Sequence, residues 1–324
     1  MSRIASLGRS TDRQILQRLY TPSSGIIVLL LVMPFALTGP VAEAQNNALT
    51  FVHKERSLQP GELVLLEARS SRPLERLFVE AFGRQFPAFA ESGRLRWIAL
   101  AGIDLGTRPG RYRVTLSGTD TAGRSLAALE TLAVEAKRFP TRELTVDEKY
   151  VTPPAAALSR IKEESQRVNA IFASVTPECF WHGSFLVPVP GEVISTFGKR
   201  SVYNGQARSP HAGTDFRGAA GTPIRAPNAG RVVLAADLYY SGNTVILDHG
   251  YGLYSYLGHM SAFSVKEGDL VKTGEIIGKV GATGLVTGPH LHWTVRLVET
   301  RIDPLSLVNI LGNPSRKEGS GSGK

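Results

Sequence analysis

Along this chain, apolar residues follow two different periods. From Gln45 to about Leu144 the apolar runs are short and set apart by turns. Leu63-Val64-Leu65-Leu66 follows Gln59-Pro60-Gly61, Leu77-Phe78-Val79 follows Arg72-Pro73, and an alternating run from Tyr112 to Leu116 follows Arg108-Pro109-Gly110. A turn at Asp120-Thr121-Ala122-Gly123 then leads to Leu129 through Val134. Strands spaced by glycine and proline in this way predict a β-sandwich of immunoglobulin type. In the next stretch the period is helical: Leu158, Ile161, Val168, Ile171 and Phe172 share one face, and Lys162, Glu163, Glu164 and Arg167 cover the other. With Thr152 as cap and a proline in the first turn, this predicts one connecting helix of about twenty residues. After Leu186-Val187-Pro188-Val189-Pro190 short strands return, clearest at 230–235, 244–248, 253–256 and 276–280, with turns at 241–243, 250–252 and 266–269. An antiparallel, glycine-rich β-domain follows, with long loops gathered at one end. The chain is therefore read as mainly β, divided into a sandwich over 45–145, a helical linker over 146–185, a second β-domain over 186–312 and a flexible tail over 313–324.

The first forty-four residues belong to none of these. Arg3, Arg9, Arg13 and Arg18 precede an apolar run from Gly25 to Leu37, and Ala42-Glu43-Ala44 offers small residues where a signal peptidase reads. The run contains Pro34 and is shorter than the roughly twenty residues that span a bilayer, so a cleaved export signal is favoured over an N-terminal anchor. Membrane attachment is expected only if that segment stays uncleaved. Cleavage would remove four arginines and two acids, changing the formal charge from +9 to +7. A basic exported protein is drawn to anionic surfaces such as a cell wall. No basic run interleaved with aromatics suggests nucleic acid. Cys179 is the only cysteine, so no internal disulfide forms, and its apolar neighbours mark it as a structural thiol. Nothing in the sequence bears on oligomeric state.

The candidate chemistry lies between His211 and His292, a stretch holding five of the seven histidines. Three motifs carry it: His211-Ala212-Gly213-Thr214-Asp215, Tyr256-Leu257-Gly258-His259, and His290-Leu291-His292-Trp293. Imidazole and carboxylate are what zinc takes when one position stays open, with three protein ligands as the usual number. Alternation after His290 reads as a strand with His290, His292, Thr294 and Arg296 on one face; only one of the two histidines is expected at bonding distance from a given metal. His211 and Asp215 would lie about 13 Å apart in an extended strand, so sharing a metal requires a bend, which Gly213 tolerates. His249 is read as stabilising a turn, His182 as structural and His53 as a lone surface residue.

These motifs resemble the lysostaphin-like (LytM-type) zinc endopeptidases over roughly Leu186 to Ile310. The resemblance also covers Phe197-Gly198-Lys199-Arg200 and the Gly250-Tyr251-Gly252 turn. It implies His211, Asp215 and His292 as ligands of one Zn2+ per chain, with His259 and His290 as a general base and transition-state stabiliser, and Tyr203 near the scissile carbonyl. It further implies that 186–312 is a zinc endopeptidase domain. The expected activity is hydrolysis of peptide cross-links in bacterial peptidoglycan through a metal-activated water, in the periplasm or cell envelope. Two other classes stay open: a non-catalytic wall-binding or amidase-activating module of the same fold, and an amidase or esterase on the same ligand set. The sandwich is expected to dock on the wall, to cap the metal site or to act as a spacer.

Overall fold

The computed structural model describes residues 48–145 and 152–312. The expected export signal and the tail lie outside the described residues. Among those described, no helix is long and apolar enough to cross a membrane. Seven strands open the fold: β1 (Leu49–Glu55), β2 (Leu63–Ser70), β3 (Leu74–Ala81), β4 (Arg84–Ala90), β5 (Arg96–Gly102), β6 (Gly110–Asp120) and β7 (Ser125–Val134). All pair antiparallel in the order β1-β2-β5-β4-β3-β6-β7, and β4 bridges the two halves by pairing with β3 through 84–87 and with β5 through 88–90. The alternation read from sequence sets the faces: Val114 and Leu116 of β6 point inward while Arg113 and Ser117 point out. They meet Leu63, Leu66, Leu77, Val79 and Phe86, all essentially inaccessible to solvent. Each such side chain contributes about 1.5–3 kcal/mol. His53 differs from its surface reading: it is half-buried between Glu55 at 2.7 Å and Glu130 of β7 at 3.3 Å, a cross-strand pairing that sequence distance conceals.

The remaining strands are β8 (Thr141–Leu144), β9 (Val193–Ser195), β10 (Arg200–Tyr203), β11 (Gln206–Ala207), β12 (Thr214–Arg217), β13 (Pro223–Arg225), β14 (Gly230–Leu238), β15 (Gly242–Gly250), β16 (Leu253–Phe263), β17 (Leu270–Val271), β18 (Ile276–Val280), β19 (His290–Leu297) and β20 (Thr300–Ile302). A ten-stranded sheet runs β17-β14-β15-β16-β19-β12-β9, with β20 on β19, and with β18 joining β16 and β13. A small sheet, β11-β10-β8, stands beside it. Its strand β8 follows directly from the first half yet pairs in parallel with β10. Gly198 makes that approach possible: at φ +76°, a Cβ there would fall 2.1 Å from the Phe139 ring.

Helix α1 (Leu158–Ala173) begins later than the sequence suggested. Thr152 is not its cap; a 3-10 turn over Ala155–Ala157 comes first, because the residue ahead of each proline in Pro153-Pro154 is biased away from helical geometry. Phe172 is buried against Leu234, Leu238, Ile246 and Tyr254, so α1 covers the outer face of β14, β15 and β16. Helix α2 (Pro304–Leu311) was not anticipated, although Asp303-Pro304 signals it: Asp303 caps the helix by accepting from the Leu305 N–H at 3.0 Å.

The two halves belong to one compact unit. Leu63 N–H donates to Ser306 Oγ at 2.9 Å and Asp303 N–H to Gly61 O at 2.8 Å. Arg56 joins Glu62 to Asp303, each at 2.7 Å. Arg301 reaches Asp104 with its backbone N–H and with Nε, at 2.9 and 3.0 Å. Burial pushes the Asp104 carboxyl up, but the Arg301 hydrogen bonds and charge override it and hold the pKa down at about 2. The folded value lies below the unfolded one, so this contribution is present above about pH 4 and is lost as pH falls towards 2. Asp104→Asn is therefore expected to destabilise the protein by about 2 kcal/mol at pH 7 and to differ little from the parent at pH 2. Urea unfolding at both pH values measures this; an equal loss at both would show that the carboxylate charge is not the cause.

Candidate metal and catalytic centre

Strands β12 and β19 are antiparallel neighbours whose register sets Asp215 opposite His292 and Arg217 opposite His290. On the other side of β19, Gly258 of β16 faces His292. His211 comes from the loop before β12, where its N–H donates to Lys199 O at 2.9 Å and its carbonyl accepts from the Gly198 N–H at 2.8 Å. This brings three atoms together: His211 Nε2 lies 3.1 Å from Asp215 Oδ1 and 3.1 Å from His292 Nδ1, and His292 Nδ1 lies 2.8 Å from Asp215 Oδ1. The chain bends between His211 and Asp215, with the bend at Gly213. The reason for that glycine differs from the one expected. Its φ is not left-handed; instead a Cβ would lie 2.5 Å from Trp293 O and 2.8 Å from the His292 ring, so the residue is needed for close approach to β19.

Outer hydrogen bonds orient both rings. His211 Nδ1 sits 3.0 Å from Thr196 O, so it carries the proton and leaves a lone pair on Nε2. His292 Nε2 sits 2.9 Å from Thr294 Oγ1, which can accept its proton and leave the lone pair on Nδ1. Two lone pairs and a carboxylate oxygen then converge, an arrangement that a cation relieves. Zinc bonds of about 2.0–2.1 Å in a tetrahedron imply ligand atoms about 3.3 Å apart, close to the spacing seen. The donor set fits zinc. Without a cation the rings would have to donate to Asp215 instead, and such hydrogen bonds would hold its carboxyl well below the usual carboxylate range against the upward push of burial.

His259 and His290 stand beside this cluster, with ring centroids 4.8 Å apart. His259 Nδ1 donates to Thr283 O at 3.0 Å and His290 Nδ1 to Gly288 O at 2.9 Å, so each ring leaves Nε2 as its acceptor. His290 Nε2 is 3.9 Å from Asp215 Oδ1, outside the triangle of His211, Asp215 and His292. Burial, followed by the neighbouring imidazoles of His292 and His290, pushes His259 down to about 3, which keeps it neutral at physiological pH. Its aim depends on a bulge. Tyr256 and His259 are three apart and would face opposite sides of a regular strand, but β16 carries one extra residue against β15 between Leu257 and Met260. His259 itself adopts φ +65°, which non-glycine residues seldom do outside constrained sites.

All five residues named from sequence line one groove of about 700 Å³, and Tyr203 lines it too. Sequence reading missed Tyr256, whose hydroxyl donates to Ser241 Oγ and whose ring meets His292 edge-on at 6.2 Å, and it missed Arg142 and Leu144 of β8. The remaining histidines stand apart. His249 is wholly buried; rather than merely stabilising a turn, it ties Ala229 O at 2.8 Å to Ser255 Oγ at 2.9 Å, and burial pushes it down to about 4. The His182 side chain is exposed, and burial raises the Cys179 thiol to about 11, as suits an unreactive structural group.

The sequence profile of peptidase family M23 matches residues 209–304. A solved structure of a Pseudomonas aeruginosa protein assigned to peptidase M23 is 33% identical and superposes at a TM-score of 0.61, covering 78% of this chain and 95% of its own. With the same fold shared over nearly all of that relative, this chain belongs to peptidase family M23. Among characterised relatives, the DD-carboxypeptidase/endopeptidase Mpg of Neisseria meningitidis is 40% identical over 97 residues, covering 30% of this chain and 22% of that protein. The peptidoglycan DD-endopeptidase ShyA of Vibrio cholerae is 40% identical over 102 residues, covering 31% and 24%. The matched stretch thus spans less than a quarter of those two relatives' length.

The close approach at Gly213 gives a direct test. Gly213→Ala forces the loop away from His292 at a cost of about 1–3 kcal/mol, and is expected to weaken zinc retention against a chelator at least tenfold, with His182→Ala unchanged. Equal retention by both variants would show that Gly213 does not position the cluster.

Proposed function

We propose that this chain is an exported zinc-dependent endopeptidase that hydrolyses peptide cross-links of bacterial peptidoglycan, with His211, Asp215 and His292 as metal ligands and His259 and His290 as catalytic residues. One observation carries the reading: three acceptor atoms converge within hydrogen-bonding distance of one another, and two further imidazoles present Nε2 to the same groove. Zinc held there supplies a Lewis acid and lowers the pKa of a bound water to about 7. The chain's own groups do the rest. His259 Nε2, neutral because its ring is buried, accepts a proton from the attacking water or holds the developing oxyanion once protonated. His290 takes the complementary part: as the imidazolium, with Nε2 protonated, it delivers that proton to the departing amine or stabilises negative charge. Thr283 O and Gly288 O fix which ring nitrogen is available. The names of Mpg and ShyA support a DD-type peptide bond as the target. Export is supported by the basic leader and the apolar run from Gly25 to Leu37.

Single substitutions separate ligands from catalysts. Asp215→Ala and His292→Ala are expected to lose bound zinc and activity together, whereas His290→Ala keeps zinc and loses activity by about 100-fold or more. Zinc content by atomic absorption, together with muropeptide release from purified peptidoglycan, measures both. Near-normal turnover by His290→Ala would overturn the division of roles. Full zinc with no conversion of cross-linked dimers by the unmodified protein would favour a wall-binding or amidase-activating module. Release of peptides from glycan would instead indicate an amidase.

A further inference from the structure

One wall of the groove is built by a strand that does not belong to the histidine-bearing sheet. Strand β8 lies parallel to β10, with Arg142 opposite Ser201 and Leu144 opposite Tyr203. Arg142 and Leu144 line the groove, while Glu143, which alternation turns to the other face, does not. Lys199 and Arg208 line the same groove. The Arg208 guanidinium lies 5.9 Å from the Tyr203 ring centroid, and the Arg208 N–H donates to Ser201 O at 2.8 Å. Lys199 O receives the His211 N–H at 2.9 Å. Three cations are therefore carried by one small sheet and the loop that holds His211.

Among the described residues that line the groove, basic side chains outnumber carboxylates. Among the described residues that line it, Asp215 is the only carboxylate, and His211 and His292 already occupy it. Neither Arg142 nor Lys199 has an ion-pair partner among the described residues. A solvated surface face would mix both signs; among the described residues this concave wall carries one sign, beside the candidate centre. Its counterpart is an anionic group on whatever peptide lies in the groove. Arginine suits that task, because its fork of N–H donors matches a carboxylate.

We propose that Arg142, assisted by Lys199, binds a free carboxylate of the peptide substrate, so that the strand leaving the first half selects acidic over amidated peptides. This rests on the endopeptidase reading, and it assigns β8 a recognition role. Arg142 acts on binding, not on the bond that breaks.

The test uses the zinc-loaded full chain, Arg142→Gln, and two substrates: a cross-linked muropeptide dimer with free carboxylates and the same dimer with those carboxylates amidated. A charge-assisted pair of this kind predicts about a tenfold fall in kcat/KM, carried by KM, from either change alone. The two losses are expected not to add, because each removes the same contact. Equal cleavage of acidic and amidated dimers by the unmodified protein, or fully additive losses, would overturn the proposal. Direct binding of the acidic and amidated dimers, followed by calorimetry on Asp215→Ala, keeps the two readings separate. Discrimination in binding without turnover by the unmodified protein would sink the endopeptidase reading and leave the carboxylate site standing. Turnover that ignores the carboxylates would do the reverse.

Discussion

The pairing of β12 with β19 is the constraint on which the site depends. Asp215 and His292 are 77 residues apart, and they meet because the two strands are hydrogen-bonded with these residues directly opposite. Side chains alternate faces along a strand, so a slip of one residue in either strand would turn its own member of the pair into the core. The same register explains why His290 shares the groove without joining the triangle of His211, Asp215 and His292: it sits two residues along the same face, opposite Arg217 instead of Asp215. It also explains Gly213, which must let the His211 loop cross closely over Trp293 and Thr294.

Behind that pairing is a back face that keeps β19 in place. Trp293 is fully buried and its Nε1 donates to Ser255 Oγ at 3.2 Å. Ser255 also meets His249, which in turn reaches Ala229 O, so one buried polar chain links β19, β16, β15 and the turn before β14. Satisfied networks of this kind hold strand positions firmly, while an unpaired member would cost about 1–3 kcal/mol. On the groove side the structure accepts local strain where it aims a group, as in the left-handed backbone of His259 at its bulge. Rigid support beneath and strain above are the usual division at sites where geometry has to be held.

How much of this could be read from the sequence depends on how local each signal is. The three histidine motifs and the period-two face of His290, His292, Thr294 and Arg296 are local, and all five candidate residues fall in one groove. Local, too, were most of the long strands. What escaped depends on contacts between distant segments: the Glu130 beside His53, the approach of β8 to β10, and the edge-on contact of Tyr256 with His292. Gly213 shows the limit clearly. Its position mattered for the reason of steric approach, which only the packed structure reveals, and not for the backbone freedom that its identity suggests. Helix α2 is the exception, since Asp303-Pro304 announced it and seven residues of mostly apolar sequence, Leu305 to Leu311, followed.

The joint between the halves links the rim of the groove to the rest of the molecule. Glu62 is almost wholly buried and would resist ionisation, but hydrogen bonds from Arg56 and Lys137 keep its carboxyl below the ordinary range. Arg56 also holds Asp303, the cap of α2, so one buried charge ties the first half to the second. Removing one partner from such a cluster leaves a charge uncompensated, which typically costs about 3–5 kcal/mol. Lys137 stands two residues before Phe139, the ring that packs on Gly198, and five before Arg142. The candidate metal ligands are positioned within the second half, by β12, β19 and the His211 loop. The cationic wall is positioned across the joint, by a segment anchored at Glu62 at one end and paired with β10 at the other. The two are not independent, because Phe139 packs on Gly198, whose N–H holds the His211 carbonyl, so the joint supports both the wall and the His211 loop.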